Sequence, residues 1–149
     1  MPIGEICSRD VIVLRRDDTI SDAAKLMRQH HVGDVVVVEE RDGMRVPVGI
    51  VTDRDLVVEI MATELDQAVI TVGDIMLEEL VTVKENVGIF EAVQYMRSKT
   101  VRRLPIVDEN GGLVGVLTLD DLLELLAEEL LAIAKLVSHQ RQKETRRRP

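Results

Sequence analysis

Aromatic residues are almost missing from this sequence: one Phe (Phe90), one Tyr (Tyr95) and no Trp in 149 residues. That removes the stacking platform on which proteins hold successive bases of a single strand. Any planar ligand must therefore be gripped by aliphatic side chains and backbone. A single cysteine, Cys7, excludes an internal disulfide and fits a reducing, cytoplasmic setting. No apolar run approaches the ~20 residues of a membrane span. The opening Met1-Pro2-Ile3-Gly4-Glu5 lacks the basic-then-apolar pattern of a secretory leader. Cations are in deficit, 19 Lys and Arg against 27 Asp and Glu, for a formal net charge of -8. Nucleic acid and anionic lipid both demand a cationic face, so neither is the expected partner. Only three histidines occur, His30, His31 and His139. The first two are adjacent at a helix end, where a cation suits the dipole. With no Gly-x-Gly-x-x-Gly and no Walker loop, no nucleophile, base or metal set for an enzyme is visible.

What is present is 46% hydrophobic and 31% charged residues, the balance of a soluble globular chain. It is also a repetition. Gly4-Glu5-Ile6-Cys7 is echoed by Gly73-Asp74-Ile75-Met76, and the stretch from Ile20 to Met27 by Ile89 to Met96, in both cases 69 residues on. Gly49-Ile50-Val51-Thr52 matches Gly115-Val116-Leu117-Thr118 at a spacing of 66. The first copy thus carries three extra residues, placed in the polar stretch around Arg41 to Arg45, where a turn tolerates a length change. Half of this chain alone would bury too little apolar surface for comfortable stability, so the halves are expected to share a core.

Each half reads β-α-β-β-α. A short β-prone segment (Val11 to Leu14; Leu80 to Val83) precedes a helix with apolar residues at i, i+3, i+4 and i+7, namely Ile20, Ala23, Ala24, Met27 and Ile89, Ala92, Val93, Met96. Thr19 and Asn86 stand near the two starts as caps. Two strands follow, Val35 to Val38 with Val48 to Val51, and Leu104 to Val107 with Leu113 to Leu117, joined through Asp42-Gly43 and Asn110-Gly111-Gly112. A second helix opens near Asp53 and Asp120. The strand runs are too continuously apolar for a half-exposed sheet, which implies an α/β (α+β) fold with covered sheets.

The element order, the Gly-x-x-Thr-x-x-Asp block in both halves and Val101-Arg102-Arg103-Leu104-Pro105-Ile106-Val107-Asp108 resemble paired cystathionine β-synthase (CBS) domains, the Bateman module. The likeness covers about residues 4–62 and 73–131. It implies two repeats, 1–66 and 67–134, packed sheet to sheet about a pseudo-two-fold axis; the basic residues Arg141, Lys143, Arg146, Arg147 and Arg148 make 135–149 read separately as a helix end and a solvated, disordered tail, or less readily as a segment for an acidic partner. It further implies clefts for AMP, ADP, ATP, NAD or S-adenosylmethionine, with Mg²⁺ as an option beside ATP and no cofactor required. Such modules commonly form homodimers and report nucleotide status to a partner protein, here an unidentified effector.

Thr52-x-x-Asp55 and Thr118-x-x-Asp121 each stand where a strand hands over to a helix. Two readings use the same geometry. In the first, Thr and Asp form a capping box and nothing more. In the second, the carboxylate accepts from vicinal ribose hydroxyls while the Thr hydroxyl and helix N–H groups donate to a phosphate. The resemblance places the family's ligand at this corner. It also places basic residues that reach phosphates at Arg102 and Arg103, where Arg forks suit the oxygens. The first repeat departs from that pattern, with Gly33 and Asp34 at the matching positions; Arg54 and the other repeat's arginines are available to compensate. The cleft anchored by Thr118 and Asp121, with the arginines of its own repeat, is therefore the expected stronger anion site. Ile12, Val35, Val81 and Leu104 are expected to wall the adenine slot.

Leu122, Leu126, Leu130, Ile133 and Val137 share one helix face that has no counterpart after Met61. It serves either for packing on its own domain or as a dimer or partner surface. Two rivals to the nucleotide sensor stay open: a constitutive dimerising scaffold without a small-molecule ligand, and nucleic-acid binding through the basic tail.

Overall fold

The computed structural model describes residues 1–76 and 79–148; the expected second repeat and tail therefore include three positions, 77, 78 and 149, outside the described residues. Two compact units emerge, residues 1–117 and 118–149, and each is described by itself.

In the first unit, a 3₁₀ turn at Ile3–Glu5 precedes β1 (Val13–Leu14), α1 (Ile20–His30), β2 (Asp34–Arg41) and β3 (Met44–Thr52). A short helical turn α2 (Asp53–Asp55) runs into a π-helical turn, Leu56–Met61, where Ala62 N–H donates to Val57 O at 2.9 Å. Then come α3 (Val72–Ile75), β4 (Val83–Lys84), α4 (Ile89–Lys99), β5 (Arg103–Val107) and β6 (Leu113–Thr118). The strands make two three-stranded sheets, ordered β1-β2-β3 and β4-β5-β6. β1 lies parallel to β2 and β4 parallel to β5, as a helical crossover requires, whereas β2 and β3 form an antiparallel hairpin.

The continuous valines of β2 are explained by two cores. Val35 and Val37 face a cluster with Ile20, Ala23 and Met27 of α1. Val36 and Val38 join Val116 of β6 in a second cluster, with Val13, Ile50 and Leu113 packed against it. A strand covered on both faces has no side for polar residues, and each buried Val, Ile or Met contributes roughly 1.5–3 kcal/mol.

Local chemistry accounts for most boundaries. Thr19 caps α1, its Oγ1 accepting from Asp22 N–H and the Asp22 carboxylate accepting from Thr19 N–H, both at 3.1 Å. The helix stops at His31 in the left-handed conformation, φ 54, and α4 stops in the same way at Thr100, φ 53. The hairpin turns at Asp42 and Gly43, both at positive φ, the combination that suits a two-residue hairpin. Its strands run further than the apolar pattern, pairing Glu39 with Val46, Glu40 with Arg45 and Arg41 with Met44, while Arg16–Glu39 and Arg15–Glu40 pairs tie the exposed end of β2 to the segment after β1. Asn86 does not cap α4; Gly88 stands at that position, with no side-chain bond, as a helix start tolerates.

The two repeats exchange their first turns. Ile3 and Gly4 N–H donate to Val87 and Glu85 O at 2.8 and 2.9 Å; Val72 and Gly73 N–H donate to Asp18 and Arg16 O at the same distances. Every partner in one set stands 69 residues from its equivalent in the other. The exchange also explains the paired glycines on β3 and β6. A Cβ on Gly49 would lie 2.7 Å from Met76 Sδ, and one on Gly115 would lie 2.5 Å from Ser8 O and 2.7 Å from Cys7 Sγ. The interlocked first turns tie the two halves of the first unit together.

The second unit is a single helix, α5 (Leu119–Arg147). Thr118 caps it, with Asp121 N–H donating to Thr118 Oγ1 and Thr118 N–H to Asp121 Oδ2, both at 3.1 Å. Through the stretch 135–149, read from sequence as a helix end and basic tail, the helix continues without a break to Arg147. Among the described residues, no helix is long and apolar enough to cross a membrane.

Candidate functional site

At the end of β3, Thr52 leaves the sheet with extended backbone, φ -108 and ψ 162. Its N–H donates to Asp55 Oδ2 at 2.9 Å, and Asp55 N–H donates back to Thr52 Oγ1 at 3.2 Å. The capping box is therefore real. It uses one carboxylate oxygen of Asp55; a carboxylate has a second oxygen for further acceptor work.

A cleft of about 270 Å³ opens on this corner, lined by Ile50, Thr52 and Asp55 from the first repeat and by Glu79, Leu80, Val81, Val101, Arg102 and Arg103 from the second. Its walls are aliphatic and its rim carries two carboxylates and two guanidinium groups. The volume sits just under the ~300–1,000 Å³ usual for small-molecule sites.

Of the residues singled out from sequence, Thr52, Asp55, Val81, Arg102 and Arg103 meet in this cleft. The arginines stand at the Thr52–Asp55 corner, whereas the repeat pattern assigns them to Thr118 and Asp121 of their own half. The Thr52–Asp55 corner thus faces the lead-in and the start of β5 of the other repeat. Val35 and Leu104 are fully buried and belong to the core, not to a wall, and Ile12 packs against the first sheet's core cluster. Gly33 O accepts from Asp53 N–H at 2.9 Å, and a Cβ there would lie 3.1 Å from Asp53 Oδ2. Arg54 is exposed, and its N–H donates to Asp53 Oδ1 at 2.8 Å. Thr118 and Asp121 form the equivalent corner in the second unit.

Asp34 meets one of the other repeat's arginines, which the sequence offered to compensate it. Its Oδ1 accepts from Arg103 Nε at 2.8 Å, with the two side chains about a fifth and a third exposed. These are equivalent positions of the two repeats, 69 residues apart, one turned acidic and one basic. Asp34 also sits opposite Thr52 in the hairpin register. One acid thus touches both the cleft's cation and the strand that ends in its cap. Ile50, Glu79, Leu80 and Val101 were not singled out; the usable signal was the equivalence of 80 with 11 and of 101 with 32, read together with an exchange between halves.

Comparison with known proteins shows the family. The profile of the CBS domain matches twice, over residues 3–62 and 72–128. An uncharacterized protein of Methanopyrus kandleri is 41% identical over 123 residues, which is 83% of this chain and 61% of that protein. The chain therefore spans about three-fifths of that relative's length. The CBS domain-containing protein YhcV of Bacillus subtilis is 38% identical over 120 residues, 80% of this chain and 81% of that one. Among solved structures, the CBS domain pair of protein MJ0100, crystallised with 5′-methylthioadenosine and S-adenosyl-L-methionine, superposes with a TM-score of 0.74. It covers 87% of this chain and 98% of its own, at 23% identity, which is a likeness of fold.

Proposed function

The chain belongs to the CBS domain family, and from that premise we propose that it is a non-catalytic regulatory module that binds an adenosine-containing ligand in the Thr52–Asp55 cleft and signals to a partner protein. The observation that carries this reading is the meeting of a capped carboxylate, aliphatic walls and two arginines in one cleft. Asp55 would accept from the ribose hydroxyls, Leu80, Val81 and Val101 would sandwich the base, and Arg102 and Arg103 would take the phosphate. The adenosine compounds held by a protein of the same fold are consistent with this class. AMP, ADP or ATP suits the arginines better than an uncharged nucleoside does, and NAD or S-adenosylmethionine would have to extend beyond the cleft. Mg²⁺ would enter only with ATP, since among the described residues no group of three His, Cys, Asp or Glu is placed to hold a metal.

The signal is proposed to pass through Arg103. A phosphate drawing on this guanidinium competes with Asp34, which is tied to β2 and, across the hairpin, to Thr52. Ligand binding then favours the arrangement in which the Arg103–Asp34 pair is loosened, the unequal affinity that any conformational response needs. The same pair also favours a second reading. It holds Arg103 without any ligand, as a constitutive scaffold with an empty cleft would require.

Thermal unfolding with AMP, ATP, NAD, S-adenosylmethionine and adenosine separates the two. A ligand at ten times its dissociation constant adds about 1.4 kcal/mol of stability. Val81→Phe, which fills the cleft without touching the cap, should abolish the shift while the protein still melts cooperatively. No shift with any of the five compounds would leave the scaffold reading standing.

A further inference from the structure

Charge is segregated along the chain in a way that the overall balance hides. Residues 1–134 carry 13 Lys and Arg against 26 Asp and Glu. Residues 135–149 carry six cations, Lys135, Arg141, Lys143, Arg146, Arg147 and Arg148, against the single acid Glu144. These cations do not sit on a loose tail: they end a continuous helix in which every residue from 126 to 148 is exposed. The helix dipole accounts for Arg146 and Arg147 in the last turn. It does not account for Arg141 and Lys143, which stand further back, and neither does internal pairing. Among the described residues none of the six is in an ion pair.

The placement of these cations selects the partner. Successive residues turn about 100° round the axis, so Arg141, Arg146 and Arg147 stand about 100–140° apart and positive charge surrounds the rod. His139, Gln142, Lys143, Arg146 and Arg147 also frame an open groove of about 320 Å³. A protein surface meets one face of a helix and would leave part of that charge turned to solvent. A lipid surface needs an apolar face to insert, and the stripe of Leu130, Ile133 and Val137 turns polar at Gln140 and Glu144 as the cations begin.

A polyanion that encloses the helix meets all of the charge. α5 has no Phe, Tyr or Trp on which the bases of a single strand could stack, and the major groove of duplex RNA is too narrow for a helix. B-form DNA has a major groove about 12 Å wide, which admits a helix of about 10–12 Å with its side chains. The acidic first part of α5 does not forbid the approach. Arg141, where the cations become dense, lies about 18 Å along the axis from Glu129, more than twice the ~8 Å screening length at physiological salt.

We infer that the cationic end of α5, from Lys135 to Arg148, docks in the major groove of double-stranded DNA through phosphate contacts, for which arginine forks are suited, without reading base sequence. The surface is separate from the nucleotide cleft, and it stands whether or not that cleft is ever filled.

The test is fluorescence anisotropy of a labelled DNA duplex of about two helical turns, titrated with the full chain. Binding should be micromolar at low salt, with log affinity falling against log salt at a slope of about 3–5. A second duplex of unrelated sequence should bind within a factor of about three. Arg141→Gln with Arg146→Gln and Arg147→Gln keeps good helix formers. It should weaken binding at least about tenfold and flatten the slope by about 2–3, while far-UV circular dichroism stays unchanged. Arg102→Gln with Arg103→Gln, in the nucleotide cleft, should leave DNA binding as it was. No binding at about 100 μM protein and low salt, binding indifferent to the triple substitution, or binding lost with the cleft arginines would overturn the inference. Competitors decide the class of partner. Poly-L-glutamate, vesicles of equal phosphatidylglycerol and phosphatidylcholine, a single-stranded oligonucleotide and duplex RNA should each displace the probe less well than unlabelled duplex DNA. Stronger displacement by any of the four would assign the surface to that chemistry instead, and the DNA assignment would fall.

Discussion

Replacing Asp34 by Asn removes one charge and almost no volume, and it acts on the ion pair that the proposed signal runs through. The Nε–Oδ1 distance is 2.8 Å. Two unit charges about 4 Å apart attract by ~4 kcal/mol at an effective dielectric of 20. With a fifth to a third of each side chain in solvent, desolvation and screening cancel most of that, leaving about 1 kcal/mol net. A phosphate that competes for Arg103 must overcome this amount in the parent protein and is spared it in Asp34→Asn. The expected outcome by isothermal titration is AMP binding tightened about fivefold, with adenosine, which has no phosphate, unchanged within a factor of about two. Removing an acid would raise the affinity of any anion nearby, so the decisive comparison is made in an Arg103→Gln background. There the gain on Asp34→Asn should disappear, since the cycle isolates the coupling between the two residues. Equal tightening of AMP and adenosine, or an AMP gain that persists without Arg103, would refute the competition mechanism. The substitution should also lower the melting temperature by only about 2–4 °C, because the pair is worth little to the fold.

Two further predictions concern the fold and its acid stability. Gly115→Ala forces a methyl to within 2.5 Å of backbone at Ser8 and should cost about 2–3 kcal/mol, read by urea denaturation. Gly49→Ala, whose nearest neighbour is the flexible Met76 side chain, should cost about 1 kcal/mol; equal costs would contradict the difference between a backbone and a side-chain contact. Asp22 is held below its ordinary pKa by the Thr19 backbone N–H and then by its hydroxyl, and Asp74 likewise by Thr71. Glu39 is lowered by Arg41 and Arg16, and Glu40 by Arg15. Groups lowered in the folded state stabilise it above their unfolded pKa of ~4 and lose that contribution as pH falls through the folded value. The melting temperature should therefore hold steady from pH 7 to about 5 and decline below that. A flat or rising melting temperature between about pH 5 and 3 would contradict the assignment.

Local chemistry made much of this protein legible from its residues. The duplicated β-α-β-β-α order, the caps at Thr19, Thr52 and Thr118, and the Asp42-Gly43 turn each depend on neighbours within about four positions, which spacing and residue type report directly. Residues 69 apart were recognisable as equivalents, but equivalence does not say which half each one touches. That was decided only by long-range packing. In the folded chain Arg102 and Arg103 stand at the Thr52–Asp55 corner, Asp34 meets Arg103, and Val81 is a wall while Val35 and Leu104 are core. Periodicity shows that a valine will be buried; whether it lies under a helix, between two sheets or beside a cleft is a matter of long-range packing, and no local pattern encodes it.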